Sequence, residues 1–117
     1  MKFALCNEVL QDLSIEDGFA QIAEIGYEGV EIAPFTLQEN PLEINERDAE
    51  RCVNAAQSAG IEIVGLHWLM AKTEGLHITS YDEGMRRAAT DYLKKLTRLT
   101  AQMGGTIMVL GSPQQRN

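Results

Sequence analysis

Apolar residues recur along the chain in two alternating patterns. Four short runs are mainly apolar and β-branched, which is typical of parallel strands covered on both faces: "KFALC", "GVEI", "IEIVGL" and "TIMVL". Between them, apolar residues return every three or four positions, which predicts amphipathic helices. The order β-α-β-α-β-α-β predicts a parallel sheet with right-handed crossovers. No linker or low-complexity segment interrupts this order, so we expect residues 1–117 to form one structural unit.

Polar residues and glycines mark the expected ends of the helices. Ser14 and Asn45 precede the first two helical patterns, where their side chains can cap free backbone N–H groups. Ser80 and Glu83 form an S-x-x-E capping box before the third and longest helix. A glycine closes each pattern, because a left-handed backbone ends a helix there without a Cβ penalty. These glycines are Gly26, Gly60 and Gly104.

The spacing of the units favours a barrel over an open sheet. The closing glycines lie roughly 34 to 44 residues apart, and a (β/α)₈ barrel uses about 30 residues per unit, with extra length in functional loops. A doubly wound open sheet is the competing fold, and its usual sign is a glycine-rich loop after the first strand. "CNEVLQDLS" contains no glycine. We therefore predict an α/β fold in which parallel strands form a (β/α) half-barrel.

Composition and charge restrict the class of protein. The chain is 44% hydrophobic and carries a formal net charge of −7, which disfavours binding to a nucleic-acid backbone. No apolar run has the length of a membrane span, and "MKFALCNEVL" does not have the form of a signal peptide. Cys6 and Cys52 are expected to be reduced thiols that face the core. The protein is accordingly expected to be cytoplasmic, with no membrane or nucleic-acid partner.

Polar and aromatic residues follow each predicted strand. Functional residues of a barrel gather at the carboxyl ends of its strands. Carboxylates and amides bind sugar hydroxyls, an aromatic face packs on the C–H side of a sugar, and an arginine can hold a carboxylate or phosphate bidentately. The candidate substrate-binding residues are Asn7, Glu31, His67, Trp68, Ser112 and Arg116.

Structural roles are the alternatives for several of these residues. Glu31 lies within an apolar run and could instead form a salt bridge, since an isolated buried carboxylate is costly. His67 could be a hydrogen-bonded structural histidine, and Trp68 could pack within a loop. Glu31 and His67 are the only potential metal ligands at consecutive strand ends, and two ligands do not hold an ion. We therefore predict no metal site from these residues.

The strand ends resemble the sugar phosphate isomerase/epimerase family, the xylose-isomerase-like TIM barrels. The resemblance covers essentially all 117 residues, and the segments that carry it are "ALCNE", "GYEGVEIAPF", "AGIEIVGLHWL", "GLHITS" and "GGTIMVLGSPQQR". The resemblance implies proton transfer next to the carbonyl of a keto-sugar or sugar acid. One glutamate removes the proton, a second returns it, and Mn²⁺ or Mg²⁺ stabilises the enediolate.

The same resemblance implies that this chain carries only part of such a site. In the family the four metal ligands and both catalytic glutamates come from strands five to eight, so the chain looks like the N-terminal, substrate-lining half. No metal and no catalytic residue are then expected on this chain alone. A non-catalytic half-barrel that binds a sugar-like ligand or a partner chain is the alternative function. An abasic-site endonuclease shares the fold, but the acidic charge counts against it. Because four strands cannot close a barrel, we expect a homodimer or a larger self-assembly.

Overall fold

The computed structural model describes residues 1–116, with Arg116 described by its backbone alone. Four strands and three helices alternate along this part of the chain. The strands are β1 (Ala4–Cys6), β2 (Gly29–Ile32), β3 (Glu62–His67) and β4 (Ile107–Val109). The helices are α1 (Ile15–Ile25), α2 (Glu46–Ala59) and α3 (Glu83–Gln102). Short 3₁₀ turns follow β1, β2 and β4 and begin at Asn7, Pro34 and Pro113.

The strands form one parallel sheet in the order β1-β2-β3-β4. A doubly wound fold would reverse its strand order at a switch point, whereas a barrel adds each strand beside the last. The sequential order therefore confirms the predicted half-barrel architecture. In this register Cys6 lies beside Glu31, and His67 lies beside Val109.

Helix caps explain where the first two helices begin and where all three end. Ser14 Oγ accepts a hydrogen bond from the backbone N–H of Asp17, and Asn45 forms a reciprocal capping box with Asp48. The glycines that follow the three helices all have left-handed backbones, as predicted. Their φ angles are 111° at Gly26, 73° at Gly60 and 78° at Gly104.

The predicted cap of the third helix was wrong. Helix α3 is capped by Asp82, whose carboxylate accepts a hydrogen bond of 2.9 Å from the backbone N–H of Met85. The Ser80 hydroxyl instead accepts a hydrogen bond from the backbone N–H of Asp82, in the loop just before the helix. A carboxylate next to the positive end of the helix dipole is favoured electrostatically, which explains why Asp82 takes the position.

The core lies between one face of the sheet and the helices. Val30, Ile32 and Leu66 are buried there against a cluster of helix residues. The cluster includes Phe19, Ile22, Cys52, Tyr92 and Leu96. No helix within residues 1–116 combines the length and the apolar character that a bilayer span requires.

The two cysteines lie in different environments, and only one matches its prediction. Cys52 is fully buried in α2, as expected, and burial raises the pKa of its thiol to about 12. Cys6 was expected to face the same core, but it is half-buried and has Glu31 as its register neighbour. Side chains of registered neighbours in parallel strands share a face, and Glu31 alternates with the core residues Val30 and Ile32. Cys6 therefore lies on the opposite, open face of the sheet.

Candidate functional site

The open face of the sheet carries Glu31 and His67. Each alternates along its strand with a residue of the helix-packed core, Glu31 with Val30 and Ile32, and His67 with Leu66. Because successive side chains of a strand point to opposite faces, Glu31 and His67 lie on the face that would line a barrel interior. A Cβ placed on Gly111 would lie 4.0 Å from His67 Nε2, so the imidazole approaches the loop that contains Ser112.

His67 meets two groups from the end of β1. A thiol, a carboxylate oxygen and an imidazole nitrogen, from Cys6, Glu8 and His67, lie within 4.8 Å of one another. Burial raises the pKa of the Cys6 thiol, and the nearby Glu8 and Glu31 carboxylates raise it further. A thiol in this environment is protonated near neutral pH, so it is not an activated nucleophile.

Two polar groups on this face lack the partners expected of a structural role. The Nδ1 atom of His67 is buried and has no hydrogen-bond partner within the described residues. Among the same residues, no cation lies within 4.0 Å of Glu31 to form the salt bridge that was its alternative interpretation. Buried polar atoms are nearly always paired in proteins, so the unpaired Nδ1 of His67 at the end of β3 indicates a place where a ligand could bind.

Asn7 joins the ends of β1 and β2. Its Oδ1 accepts a hydrogen bond of 2.9 Å from the backbone N–H of Ala33, and its Nδ2 donates to Thr36 Oγ1 at 2.8 Å. Thr36 Oγ1 in turn donates to the backbone carbonyl of Ala33. Both ends of the Asn7 amide therefore have protein partners, and the side chain, 4% exposed, holds the strand ends in place.

Three side chains form an aromatic and cationic group next to these strand ends. The rings of Phe35 and Trp68 meet edge to face with centroids 5.8 Å apart, and Lys72 Nζ lies 4.3 Å from the Phe35 centroid. Trp68 has a left-handed backbone with φ of 59°, which is rare for a bulky residue and is stabilised here by a backbone hydrogen bond from Trp68 to Val109.

These residues line a pocket of about 320 Å³ at the ends of β2, β3 and β4. Its lining is mainly apolar and includes Phe35, Trp68, Met70, Lys72 and Ser112. Such a mixture of apolar walls and a few polar groups is typical of small-molecule sites. A larger concave surface of about 610 Å³ lies between α1 and α2, where it includes the Glu16–Arg51 ion pair. That surface belongs to the helix layer, whereas barrel sites lie at strand ends, so we place the candidate site at the smaller pocket.

Ser112 both supports this pocket and lines it. Its Oγ is buried and accepts a hydrogen bond of 3.0 Å from the backbone N–H of Met70, which ties the loop after β3 to the loop after β4. The hydroxyl hydrogen remains available as a donor. Gln115 ties the same loops by accepting from the backbone N–H of Ile78 and donating to the carbonyl of Leu76.

The predicted site residues thus divide into groups. Glu31 and His67 lie on the open face, Trp68 and Ser112 line the pocket, and Asn7 holds the strand ends. The side chain of Arg116 lies outside the described residues. Sequence reasoning missed Cys6 and Lys72 as members of the candidate site. The alternation of side chains along "ALC" next to "GVEI" could have placed Cys6 beside Glu31, but no sequence signal places Lys72 against an aromatic ring.

Comparison with known proteins agrees with this geometry. A family model described as a xylose isomerase-like TIM barrel matches residues 19–117. One similar solved structure is D-psicose 3-epimerase in the presence of D-fructose, with a TM-score of 0.71 and 14% sequence identity. The match covers 92% of this chain and 36% of the epimerase chain, so the chain spans about a third of the length of that structure. No curated protein matches the sequence at a significant level. Since the family model covers most of the chain, the protein belongs to the xylose isomerase-like TIM barrel family.

Proposed function

We propose that the chain supplies the sugar-binding wall of an isomerase or epimerase site that acts on a keto-sugar or sugar acid. The observation that carries the proposal is the pocket lined by Phe35, Trp68 and Ser112 at the strand ends, with Glu31 and His67 on the open face of the same sheet. Membership of the xylose isomerase-like family and the structural likeness to D-psicose 3-epimerase support a sugar as the ligand.

Each group has a definite part in sugar binding under this proposal. The indole of Trp68 packs against the C–H face of the sugar, while Glu31 accepts hydrogen bonds from its hydroxyls. His67 can donate or accept according to its tautomer. Lys72, which reaches the pocket from the loop after β3, provides a positive charge for the carboxylate of a sugar acid.

The proton-transfer step is proposed to belong to residues outside these four strands. The resemblance implies Mn²⁺ or Mg²⁺, ions that favour oxygen ligands. The ligand cluster within the described residues contains a thiol and an imidazole, a set that does not suit those ions. We therefore assign no metal-assisted step to this chain, whose own residues bind and orient the sugar.

A non-catalytic half-barrel that binds a sugar-like ligand or a partner chain is the second candidate function. Exposed apolar residues at β4 favour it, since Ile107 is 47% exposed and Leu110 is 44% exposed. Uncovered apolar surface beside an unpaired strand edge is suited to contact with another polypeptide.

We expect the purified chain to bind ketohexoses weakly and saturably. Trp68 is the only tryptophan, so its fluorescence reports directly on the pocket. Titration with D-fructose and D-psicose should give a saturable change with a Kd of about 1 mM, equivalent to roughly −4 kcal/mol. Glu31→Gln should weaken binding about tenfold, because a hydrogen bond to a charged group contributes about 1.5–3 kcal/mol.

Glu24→Gln is the matched control for this titration. Glu24 is exposed on α1, away from the strand ends, so its substitution should leave the Kd unchanged. If the fluorescence of Trp68 does not respond to either ketose, or if both variants lose affinity equally, the sugar-binding proposal is wrong.

We expect the chain alone to epimerise no ketose above background, with or without added Mn²⁺. The resemblance places both catalytic glutamates on strands that follow the four described here, and the pocket offers no substitute base. Incubation in D₂O followed by NMR of the sugar would reveal proton exchange next to the carbonyl. Deuterium incorporation by wild-type chain that is lost in Glu31→Gln would contradict the expectation and make Glu31 a catalytic residue.

A further inference from the structure

We propose that the chain binds a zinc-like transition-metal ion through Cys6, Glu8 and His67 at the open face of its sheet. This inference goes beyond the sugar-binding role and does not depend on it. It also replaces the expectation, drawn from Glu31 and His67 alone, that the chain holds no metal.

The geometry of the three side chains fits such a site after a small contraction. Their ligand atoms lie within 4.8 Å of one another. Ligands at zinc distances of about 2.0–2.3 Å in a tetrahedron are about 3.3–3.8 Å apart. A shift of about 1 Å closes the difference, and rotamer changes of the three side chains can supply it. Cys6 and His67 come from strands on either side of β2, so the sheet itself holds two ligands in place.

The electrostatic environment of the cluster also favours a bound cation. The buried Nδ1 of His67 has no partner within residues 1–116, which makes the imidazole free to coordinate or to be oriented by a ligand. The Glu8 and Glu31 carboxylates both act on the Cys6 thiol electrostatically, so negative charge concentrates at this point of the open face. A divalent cation would offset that repulsion and favour the thiolate that coordination requires.

The donor set selects the class of ion. One sulfur, one nitrogen and one carboxylate oxygen suit Zn²⁺ and its spectroscopic substitute Co²⁺, whereas Mg²⁺ takes oxygen ligands. Three protein ligands leave a fourth tetrahedral position, which water or a sugar hydroxyl can occupy. This is the ligand number of sites at which zinc meets a substrate, and it differs from closed structural sites with four protein ligands.

The chain contains its own controls for this site. It has two cysteines and two histidines, and only one of each lies in the cluster. Cys52 is fully buried in α2, and His77 Nε2 lies 3.0 Å from the backbone carbonyl of Gln114 in the loop after β4. Substitutions of these two residues change the same chemical groups without touching the proposed ligands.

Cobalt titration of the metal-free 117-residue chain tests the thiolate directly. We expect one Co²⁺ per chain, with visible bands of tetrahedral intensity and a sulfur-to-cobalt charge-transfer band in the near ultraviolet. Cys6→Ser should remove the charge-transfer band, and Cys52→Ala should retain it. Retention of the band in Cys6→Ser, or its loss in Cys52→Ala alone, would overturn the proposal.

Zinc affinity measured by competition with a chromophoric chelator provides a second readout. His67→Gln and Glu8→Gln should each weaken Zn²⁺ binding at least tenfold, while His77→Gln should match the wild type. These variants keep the test decisive if Cys6→Ser fails to fold, which circular dichroism would show. Equal affinities for His67→Gln, His77→Gln and wild type would mean adventitious binding and would refute the site, whatever the outcome of the ketose titration.

Discussion

Size-exclusion chromatography with light scattering should show the 117-residue chain as a dimer at micromolar concentration, with twice the 13.0 kDa mass of one chain. Within residues 1–116 the sheet has four strands, and β1 and β4 are each paired on one side only. Closing a barrel removes such edges, which four strands do not achieve. An unpaired edge is a template for pairing with another chain.

The open face adds an apolar contribution to this tendency. Ile107 lies beside Gly65 in the register and alternates with Met108, which packs against the helix-covered core. Ile107 therefore belongs to the open face and is 47% exposed, while Leu110 just beyond it is 44% exposed. At roughly 25 cal/mol per Å², leaving about 400 Å² of apolar surface in water costs on the order of 10 kcal/mol, comparable with the stability of a whole domain. A two-fold dimer that pairs edges or stacks open faces relieves most of this cost.

Two isoleucines distinguish the open face from the rest of the surface. Ile107→Lys should shift the chain to the monomer or weaken the dimer at least a hundredfold, because a charge would have to be buried in the contact. Ile25→Lys is the control, since Ile25 is 57% exposed at the end of α1 on the helix layer. A folded wild-type monomer of 13.0 kDa with cooperative unfolding would contradict the prediction, as would equal effects of the two variants.

The fold could be predicted from the sequence because several local signals agreed. Each helical pattern ended in a glycine that the structure places in the left-handed region, and a β-branched run followed each one. The absence of glycine after the first strand separated a barrel from a doubly wound sheet. The sequence predicted Ser80 as the N-cap of α3, whereas the structure has Asp82 there. Several polar residues precede this helix, and which of them caps it depends on the residue at which the loop ends.

The candidate site could be predicted only in part. The sheet face on which a side chain lies, and the residues it contacts, depend on the register of the strands. Strand-end position was sufficient to predict where Glu31, His67 and Trp68 lie, and their roles in binding stay predictions. It did not reveal that the Asn7 amide is hydrogen-bonded to Ala33 and Thr36, since those partners come from the segment that follows β2. Cys6 was assigned to the core because its strand was expected to face the core, although its register neighbour Glu31 lies on the open face.

Gly65→Ala should severely destabilise the protein, because the backbones of β3 and β4 meet closely at this residue. A Cβ on Gly65 would lie 1.7 Å from the carbonyl oxygen of Ile107 and 2.7 Å from its carbonyl carbon. Both atoms are backbone, so no side chain can move aside, and β4 must separate from β3. We expect a loss of about 3 kcal/mol or more in the free energy of unfolding, equivalent to a fall of roughly 10 °C in Tm by differential scanning calorimetry.

Gly18→Ala makes the same chemical change inside α1, where the new Cβ would meet Leu10 Cβ at an ordinary 4.0 Å. That control should be neutral or gain about 0.5–1 kcal/mol from helix propensity. Opposite signs for the two substitutions would support the close β3–β4 contact, which also sets the position of His67 at the end of β3. A Tm for Gly65→Ala within about 2 °C of wild type would show that the strands are not so close there.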